Sequence, residues 1–210
     1  MKMRKMTFFY WLVKSIVLVL AKVFFRLQVK GLQNIPATGG VIIAPNHVSY
    51  IDPPVIGASI PIACHYFAKE ELFQHRFLGN LIRHLFAIPV KRGAFDRNAM
   101  RMASDILKND GLLLFFPEGT RSVTGELQDA KSGISMLANQ SGAAVVPVYI
   151  SGSHDVLPRD STRIHCSKVT VTFGKPIRFA EVGNAEMDKK SRYEIFAQTI
   201  MQEIANLRSA

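Results

Sequence analysis

From residue 27 onward, short apolar runs alternate with segments whose apolar positions recur every three or four residues. Leu27–Gly31 alternates as a short strand does, Pro36–Gly40 reads as a turn, and Val41–Ala44 is a continuous apolar run of the kind a buried strand needs. Asp52 precedes Pro53 and Pro54; aspartate favours the N-cap and proline the first helical turn, so a helix is predicted from there to Ser59. The strand Ala63–Ala68, a helix from Glu70 to His84, the strand Phe86–Val90, a helix from Arg97 to Lys108 and the strand Leu112–Phe116 follow. A helix from Lys131 to Gln140, strands Val145–Ile150 and Lys168–Phe173, and a closing helix from Asp188 to Leu207 complete the pattern. Pro147 cannot donate to a ladder, which puts its strand at an edge or a bulge and makes it a candidate groove wall.

Strands alternating with helices in this way predict an α/β fold, with a largely parallel central sheet flanked by helices. Ligands of such sheets gather beyond the carboxyl ends of the strands. Four predicted strands run into polar stretches there: Asn46-His47, Lys91-Arg92-Gly93, Pro117-Glu118-Gly119-Thr120-Arg121 and Ser151-Gly152-Ser153-His154. If the strands are parallel, all four share one rim.

The first 26 residues differ from the rest. Thr7–Leu27 is apolar except for Lys14, Ser15, Lys22 and Arg26, which at about 100° per residue fall on one stripe of a helix. Its longest unbroken apolar run is Ile16–Ala21, short of the roughly 20 residues a span requires. The pattern therefore predicts an amphipathic helix lying in a membrane interface, with its basic stripe towards the headgroups. The plainer alternative is a helix whose broad apolar face docks on the domain's own core. Lys2, Arg4 and Lys5 resemble the start of a signal peptide, but Lys14 interrupts the apolar stretch and no small-x-small site follows, so cleavage is not expected. Residues 27–210 form one domain, undivided by a Pro/Gly/Ser-rich linker.

Composition sharpens this division. The net charge is +10, and residues 1–51 hold seven basic residues and no Asp or Glu, leaving +3 for the remainder. Basicity concentrated on an apolar segment suits an anionic membrane surface, and the lack of a basic patch interleaved with aromatics argues against nucleic acid. Hydrophobic residues make up 48% of the chain, which supplies a sizeable core but falls far short of a bundle of spans. Cys64 and Cys166 form no CxxC pair; buried free thiols and a reducing, cytoplasmic setting are the expectation.

The chemistry is concentrated in two stretches. Asn46-His47-Val48-Ser49-Tyr50-Ile51-Asp52 delivers a histidine and a carboxylate to one strand end, the outline of a general base and its orienting acid. Five helical steps would turn the two apart, so they meet only if the chain turns first. Pro53 restricts Asp52 to an extended or turn conformation that lets its carboxylate fold back. Asn46 and Ser49 are expected to support that turn, and Tyr50 to pack. The competing reading makes Asp52 an N-cap and His47 a loop residue. In Phe116–Ser122, Arg121 offers paired donors to an anion, Gly119 permits close backbone approach, Glu118 can hold Arg121 or bind a substrate hydroxyl, and Thr120 can donate a further hydrogen bond. The alternative is a surface turn with an internal Glu–Arg pair. Lys91 and Arg92 read alone as solvated charges; their shared rim makes Arg92 a candidate second phosphate contact. His65, His75, His84, His154 and His165 have no ligand spacing and are expected to be structural or exposed. GxSxG, GxxxxGK[ST], HExxH and GxGxxG are all absent.

Four ordered blocks, NHVSYID, Ile88–Gly93, FPEGTRS and VVPVYISG, resemble those of the glycerolipid acyltransferase family, which includes 1-acylglycerol-3-phosphate acyltransferases. The resemblance spans roughly residues 27–180, and the first and third blocks carry most of its specificity; in the second, Lys91 stands where an acidic or apolar residue is common. It implies His47 and Asp52 as the catalytic pair and Arg92, Glu118, Gly119, Thr120 and Arg121 as acceptor-phosphate residues. Thr120 is similar to the lysophosphatidate branch, where glycerol-3-phosphate enzymes often have a second glycine. By this resemblance, a fatty acyl group passes from acyl-CoA or acyl carrier protein to the free hydroxyl of 1-acylglycerol 3-phosphate, giving phosphatidic acid at the cytoplasmic face of a membrane. No metal or bound cofactor is implied. A metal-dependent phosphoester hydrolase and a non-catalytic membrane-binding module remain as rivals.

Overall fold

The computed structural model describes residues 6–91, 95–183 and 187–209. In chain order its elements are α1 (Phe8–Phe24), β1 (Gln28–Lys30), β2 (Val41–Pro45), α2 (Asp52–Ser59), β3 (His65–Lys69), α3 (Arg76–His84), β4 (Ala87–Val90), α4 (Arg97–Lys108), β5 (Leu112–Leu114), α5 (Gly133–Ser141), β6 (Ala144–Ser151), α6 (Ser153–Val156), β7 (Thr170–Phe173) and α7 (Lys189–Asn206). The seven strands form one sheet in the order β1-β7-β6-β2-β5-β3-β4, parallel at every pairing except β6 with β7.

The continuous apolar run of β2 follows from its place at the middle of the sheet. Val41 and Ile43 join the core on one face, with Val55 and Ile56 of α2 and Ala21 of α1. Ile42 and Ala44 join the other, with Leu107 of α4, Leu137 of α5 and Phe196 and Ile200 of α7. Both faces are covered, so every β2 residue is buried. The closing helix starts as its composition suggests, with the Asp188 carboxylate capping the N–H groups of Lys190 and Ser191.

One local expectation is narrowed and two are corrected. Pro147 is not on an edge strand, since β6 lies between β7 and β2. The bulge is present instead: three steps from Val145 to Val148 face four from Ile177 back to Phe173, so the partner segment carries one extra residue beside the missing N–H. The helix expected over 70–84 is broken, with a 3-10 turn over Glu70–Gln74, an extended His75, and only then α3. A Cβ on Gly79 would stand 2.4 Å from the Phe73 carbonyl oxygen, so the incoming chain crosses directly over α3 and cannot continue into it. Cys64 is buried as expected, but Cys166 is exposed.

Helix α1 also differs from expectation in its orientation. Lys14 faces inward, where its ammonium donates to the carbonyl of Ile60 at the C-terminal end of α2 and burial pushes its pKa down. A cation there complements the helix dipole. Tyr10 and Ala21 are buried on the same side, and the Tyr10 hydroxyl accepts from Cys64 N–H at 3.1 Å. The opposite face, with Phe8, Leu12, Ile16, Val19, Leu20 and Val23, is left exposed. Core docking and an uncovered apolar face therefore coexist, and among the described residues no helix is long and apolar enough to cross a membrane.

Candidate active site

The parallel strands β2, β5, β6 and β4 all end at one rim, and the chain leaving β2 turns there on long-range bonds. Asn46 was expected to support this turn locally. Its side chain instead exchanges two hydrogen bonds with Ile150 of β6, Nδ2 donating to the carbonyl at 3.1 Å and Oδ1 accepting from the N–H at 2.8 Å. Ser49 Oγ likewise donates to the Leu157 carbonyl, at 2.7 Å. These bonds anchor both ends of the loop that carries His47.

Within the loop, the Asp52 carboxylate reaches backward. Its Oδ2 stands 2.9 Å from His47 Nδ1 and accepts from the N–H groups of Val48 and Ser49 at 2.8 Å each. A capping carboxylate would instead accept from the N–H groups two and three residues ahead, but Pro54 has none and the Val55 N–H goes to the Ile51 carbonyl at 3.0 Å. The N-cap of α2 is Ile51, so Asp52 is the first helical residue and not the extended or turn residue expected before Pro53. This leaves a fully buried carboxylate to the imidazole and to the two N–H groups beside it. The His47 ring stacks on Phe116, with centroids 3.9 Å apart, and Nε2 has no partner among the described residues.

The second stretch is bound directly to the first. Glu118, buried after β5, accepts from His47 N–H through Oε1 at 3.1 Å and from Gln128 Nε2 through Oε2 at 2.9 Å. Ser122 N–H donates to the His47 carbonyl at 2.7 Å. The backbone of His47 is therefore gripped on both sides by residues of one turn. Burial pushes the Glu118 carboxyl up to about 7, against the opposing effect of the two hydrogen bonds it accepts. The Glu118–Arg121 pair, one of the two roles open to Glu118, does not form among the described residues. The Arg121 guanidinium lies 3.4 Å over the exposed Tyr50 ring and donates to the Arg159 carbonyl at 3.3 Å.

A model of the acyltransferase family matches residues 26–151. The chain belongs to that family. It is 28% identical over 185 residues to the 1-acyl-sn-glycerol-3-phosphate acyltransferase of Bacillus subtilis, covering 87% of this chain and 88% of that protein. It is also 28% identical to the chloroplastic 1-acyl-sn-glycerol-3-phosphate acyltransferase LPAT1 of Arabidopsis thaliana, over 73% of this chain and 44% of the relative. The crystal structure of the 1-acyl-sn-glycerophosphate (LPA) acyltransferase PlsC from Thermotoga maritima superposes with a TM-score of 0.78 at 26% identity, over 96% of this chain and 80% of that one.

In this acyltransferase the rim carries basic groups that sequence spacing did not single out. Arg159 Nη1 donates to the Arg121 carbonyl at 2.7 Å, so the two arginines exchange side-chain-to-backbone bonds. No ion pair with either guanidinium occurs among the described residues. Lys131 lies over Gly119, whose φ of +71° suits glycine; a Cβ there would stand 3.2 Å from the lysine nitrogen. Thr120 is exposed, and its carbonyl lies 3.4 Å from Gln128 Nε2. Lys91 is exposed, with its nitrogen 4.0 Å from Glu70 Oε2, as a solvated charge would be. Arg92 lies outside the described residues. Arg159, Lys131 and Gln128 meet the motif residues through contacts 8 to 38 positions apart in the chain, for which a linear pattern carries no signal.

An apolar cavity of about 120 Å³ opens between α1 and α2, lined by Val13, Val17, Pro53, Pro54, Ala58 and Leu114 among others. Among the described residues no group of three or more His, Cys, Asp or Glu side chains comes together to hold a metal ion.

Proposed function

We propose that this acyltransferase moves a fatty acyl group from a thioester, acyl-CoA or acyl carrier protein, to the free hydroxyl of 1-acylglycerol 3-phosphate, giving phosphatidic acid at an anionic membrane surface. The observation that carries this reading is the contact of His47 Nδ1 with the triply bonded Asp52 Oδ2, beside a turn that holds Arg121. With Nδ1 facing the carboxylate, Nε2 is left to take the acceptor's proton. The alkoxide oxygen forms the new ester bond to the thioester carbonyl carbon, the C–S bond breaks, and the departing thiolate receives the proton held on His47. Asp52 orients the ring and stabilises its positive charge.

Arg121, with Arg92, binds the acceptor phosphate and aligns the hydroxyl. Thr120 lends a hydrogen bond, Gly119 allows the phosphate close to the backbone, and Glu118 sets the His47 backbone. The apolar cavity beside Pro53 suits an acyl chain, and the exposed face of α1 suits an interfacial position. No metal or bound cofactor enters the scheme. A two-ligand pair committed to each other and to backbone N–H groups is a poor metal site, which disfavours a metal-dependent phosphoester hydrolase.

The test is thiol release from acyl-CoA and acyl carrier protein with a panel of lysophospholipids and glycerol 3-phosphate. Lysophosphatidate should give the highest kcat/KM, and His47→Ala should lower turnover by several orders of magnitude while the protein stays folded. A higher kcat/KM for another acceptor would reassign the substrate. Near-normal turnover in the alanine variant would end the mechanism, and no thiol release with any acceptor would leave a membrane-binding module.

A further inference from the structure

Helix α3 exposes an apolar stripe that its own domain does not use. Only Gly79 and Ile82 of its nine residues are buried, while Phe77 is 94% exposed and Leu78 and Leu81 are 40% and 36% exposed. Phe77, Leu81 and His84 stand at i, i+4 and i+7, so they form one stripe along the helix. The stripe ends at α1, where the His84 ring meets Phe9 edge-on with centroids 5.6 Å apart. Phe9 itself is 40% exposed, beside Phe8 and Leu12 on the uncovered face of α1. The two helices thus present one continuous apolar surface.

Its charges are of one sign. Arg76 and Arg83 lie along one side of the α3 stripe, with Arg83 over the Phe73 ring and donating to the Phe73 carbonyl; Lys22 and Arg26 lie exposed at the end of α1, and neither helix contains an Asp or Glu. The acids nearest in sequence, Glu70 and Glu71, stand on the preceding 3-10 turn, with Glu70 facing Lys91. This combination decides what covers the surface. A two-fold contact between copies would set each arginine-edged stripe against another, with no carboxylate on either helix to receive the charges. A bilayer receives the phenylalanine and leucines among its acyl chains and the arginines among its headgroup phosphates.

We propose that α3 is a second lipid-contacting element, which seats Phe77 and Leu81 in an anionic bilayer while α1 lies in the same surface. The inference rests on the membrane position given under the proposed function and adds its orientation. A second helix on the surface fixes the rotation of the domain on the membrane, where α1 alone leaves it free to roll. Because α3 leads into β4, whose carboxyl end reaches the rim with His47, that rotation also sets the height of the cleft above the lipid.

The single tryptophan, Trp11 on α1, makes the two helices separately readable. The native chain reports α1, and Phe77→Trp in a Trp11→Phe background reports α3. Each is titrated with vesicles of phosphatidylglycerol and phosphatidylcholine carrying brominated acyl chains. Emission from position 77 should shift to the blue and be quenched. A solvent-like spectrum at position 77 with quenched Trp11 would overturn the α3 proposal alone; no response at either position would overturn the membrane reading as well. A blue shift at position 77 that grows with protein concentration in the absence of lipid would overturn it in favour of self-association. Phe77→Asp should weaken partitioning onto these vesicles by about tenfold or more. Activity towards a soluble, short-chain lysophosphatidate should be unchanged, and an equal loss with the soluble acceptor would assign Phe77 to the fold instead.

Discussion

Replacing Asp52 by asparagine separates the charge of the orienting group from its geometry. The carboxylate is fully buried, Oδ2 accepts three hydrogen bonds, and Oδ1 has no partner among the described residues. Two of the donors are backbone N–H groups, so they hold an amide oxygen where Oδ2 now stands and turn the NH2 group towards the vacant side. The ring keeps its orientation and tautomer, and only the negative charge is lost. A hydrogen bond to a charged group contributes about 1.5–3 kcal/mol and one between neutral groups about 1 kcal/mol. The difference, about 0.5–2 kcal/mol, corresponds to a fall in kcat of about 2- to 30-fold. This is far below the roughly 10⁴-fold loss that the same exchange causes in a serine-protease triad through the wrong tautomer. Thiol release at saturating acceptor measures it, with the thermal midpoint as a control for folding. A loss near 10⁴-fold would mean that the amide turns its NH2 to the ring and that Val48 and Ser49 do not control it; an unchanged kcat would remove the Asp52 charge from the mechanism. Asp52→Ala should do more damage, since two backbone donors would lose their acceptor at about 1–3 kcal/mol each.

Glu118→Gln tests the buried carboxyl, pushed up to about 7 by its surroundings. A raised carboxyl favours the protonated folded state, so its contribution to stability is complete below the ordinary value of 4.5 and is lost as the pH rises through about 7. Urea unfolding should therefore show the glutamine variant gaining on the native chain between pH 5 and pH 8, by about 3 kcal/mol at most; an equal difference at both pH values would rule out ionisation as the cause. Arg121→Lys, which gives up the paired donors, should raise the acceptor KM about tenfold or more with little change in kcat. Arg159→Gln should act in the same direction, and an unchanged KM in both variants would move the phosphate elsewhere. Deleting residues 1–26 is a poor test of membrane contact, because it would also remove buried Tyr10 and Ala21 and the Lys14 contact to Ile60.

The elements of the sheet were legible because each strand meets its neighbours with a simple side-chain period. Val41–Ala44 alternates between two cores, and a run that is apolar on both faces has few other homes. Element ends were less so. The break at His75 depends on the Phe73 carbonyl passing over Gly79, and the place of β6 depends on which strand pairs with it. The meeting of His47 with Asp52 was legible in outline, as a turn ahead of the helix, but that turn falls at Tyr50 and Ile51 and not at Asp52, which is helical. The partners of Glu118 and Arg121 were not, since Gln128 approaches from farther along the same β5–α5 connection and Arg159 from the segment after α6.

By itself, the sequence determined what acts within a few residues or repeats along an element: strand and helix periods, the helix start at Asp52-Pro53-Pro54, the acid-free N-terminal helix and the motif blocks of an acyltransferase. Tertiary structure alone decided which way α1 faces, with Lys14 inward and its apolar side uncovered. It also decided that Glu118 braces His47 rather than Arg121, and that α3 extends the apolar surface of α1. The physical reason is the range of the interactions. Propensity and capping are settled between neighbours in the chain, whereas a hydrogen-bond partner or an uncovered face exists only after distant segments have packed together.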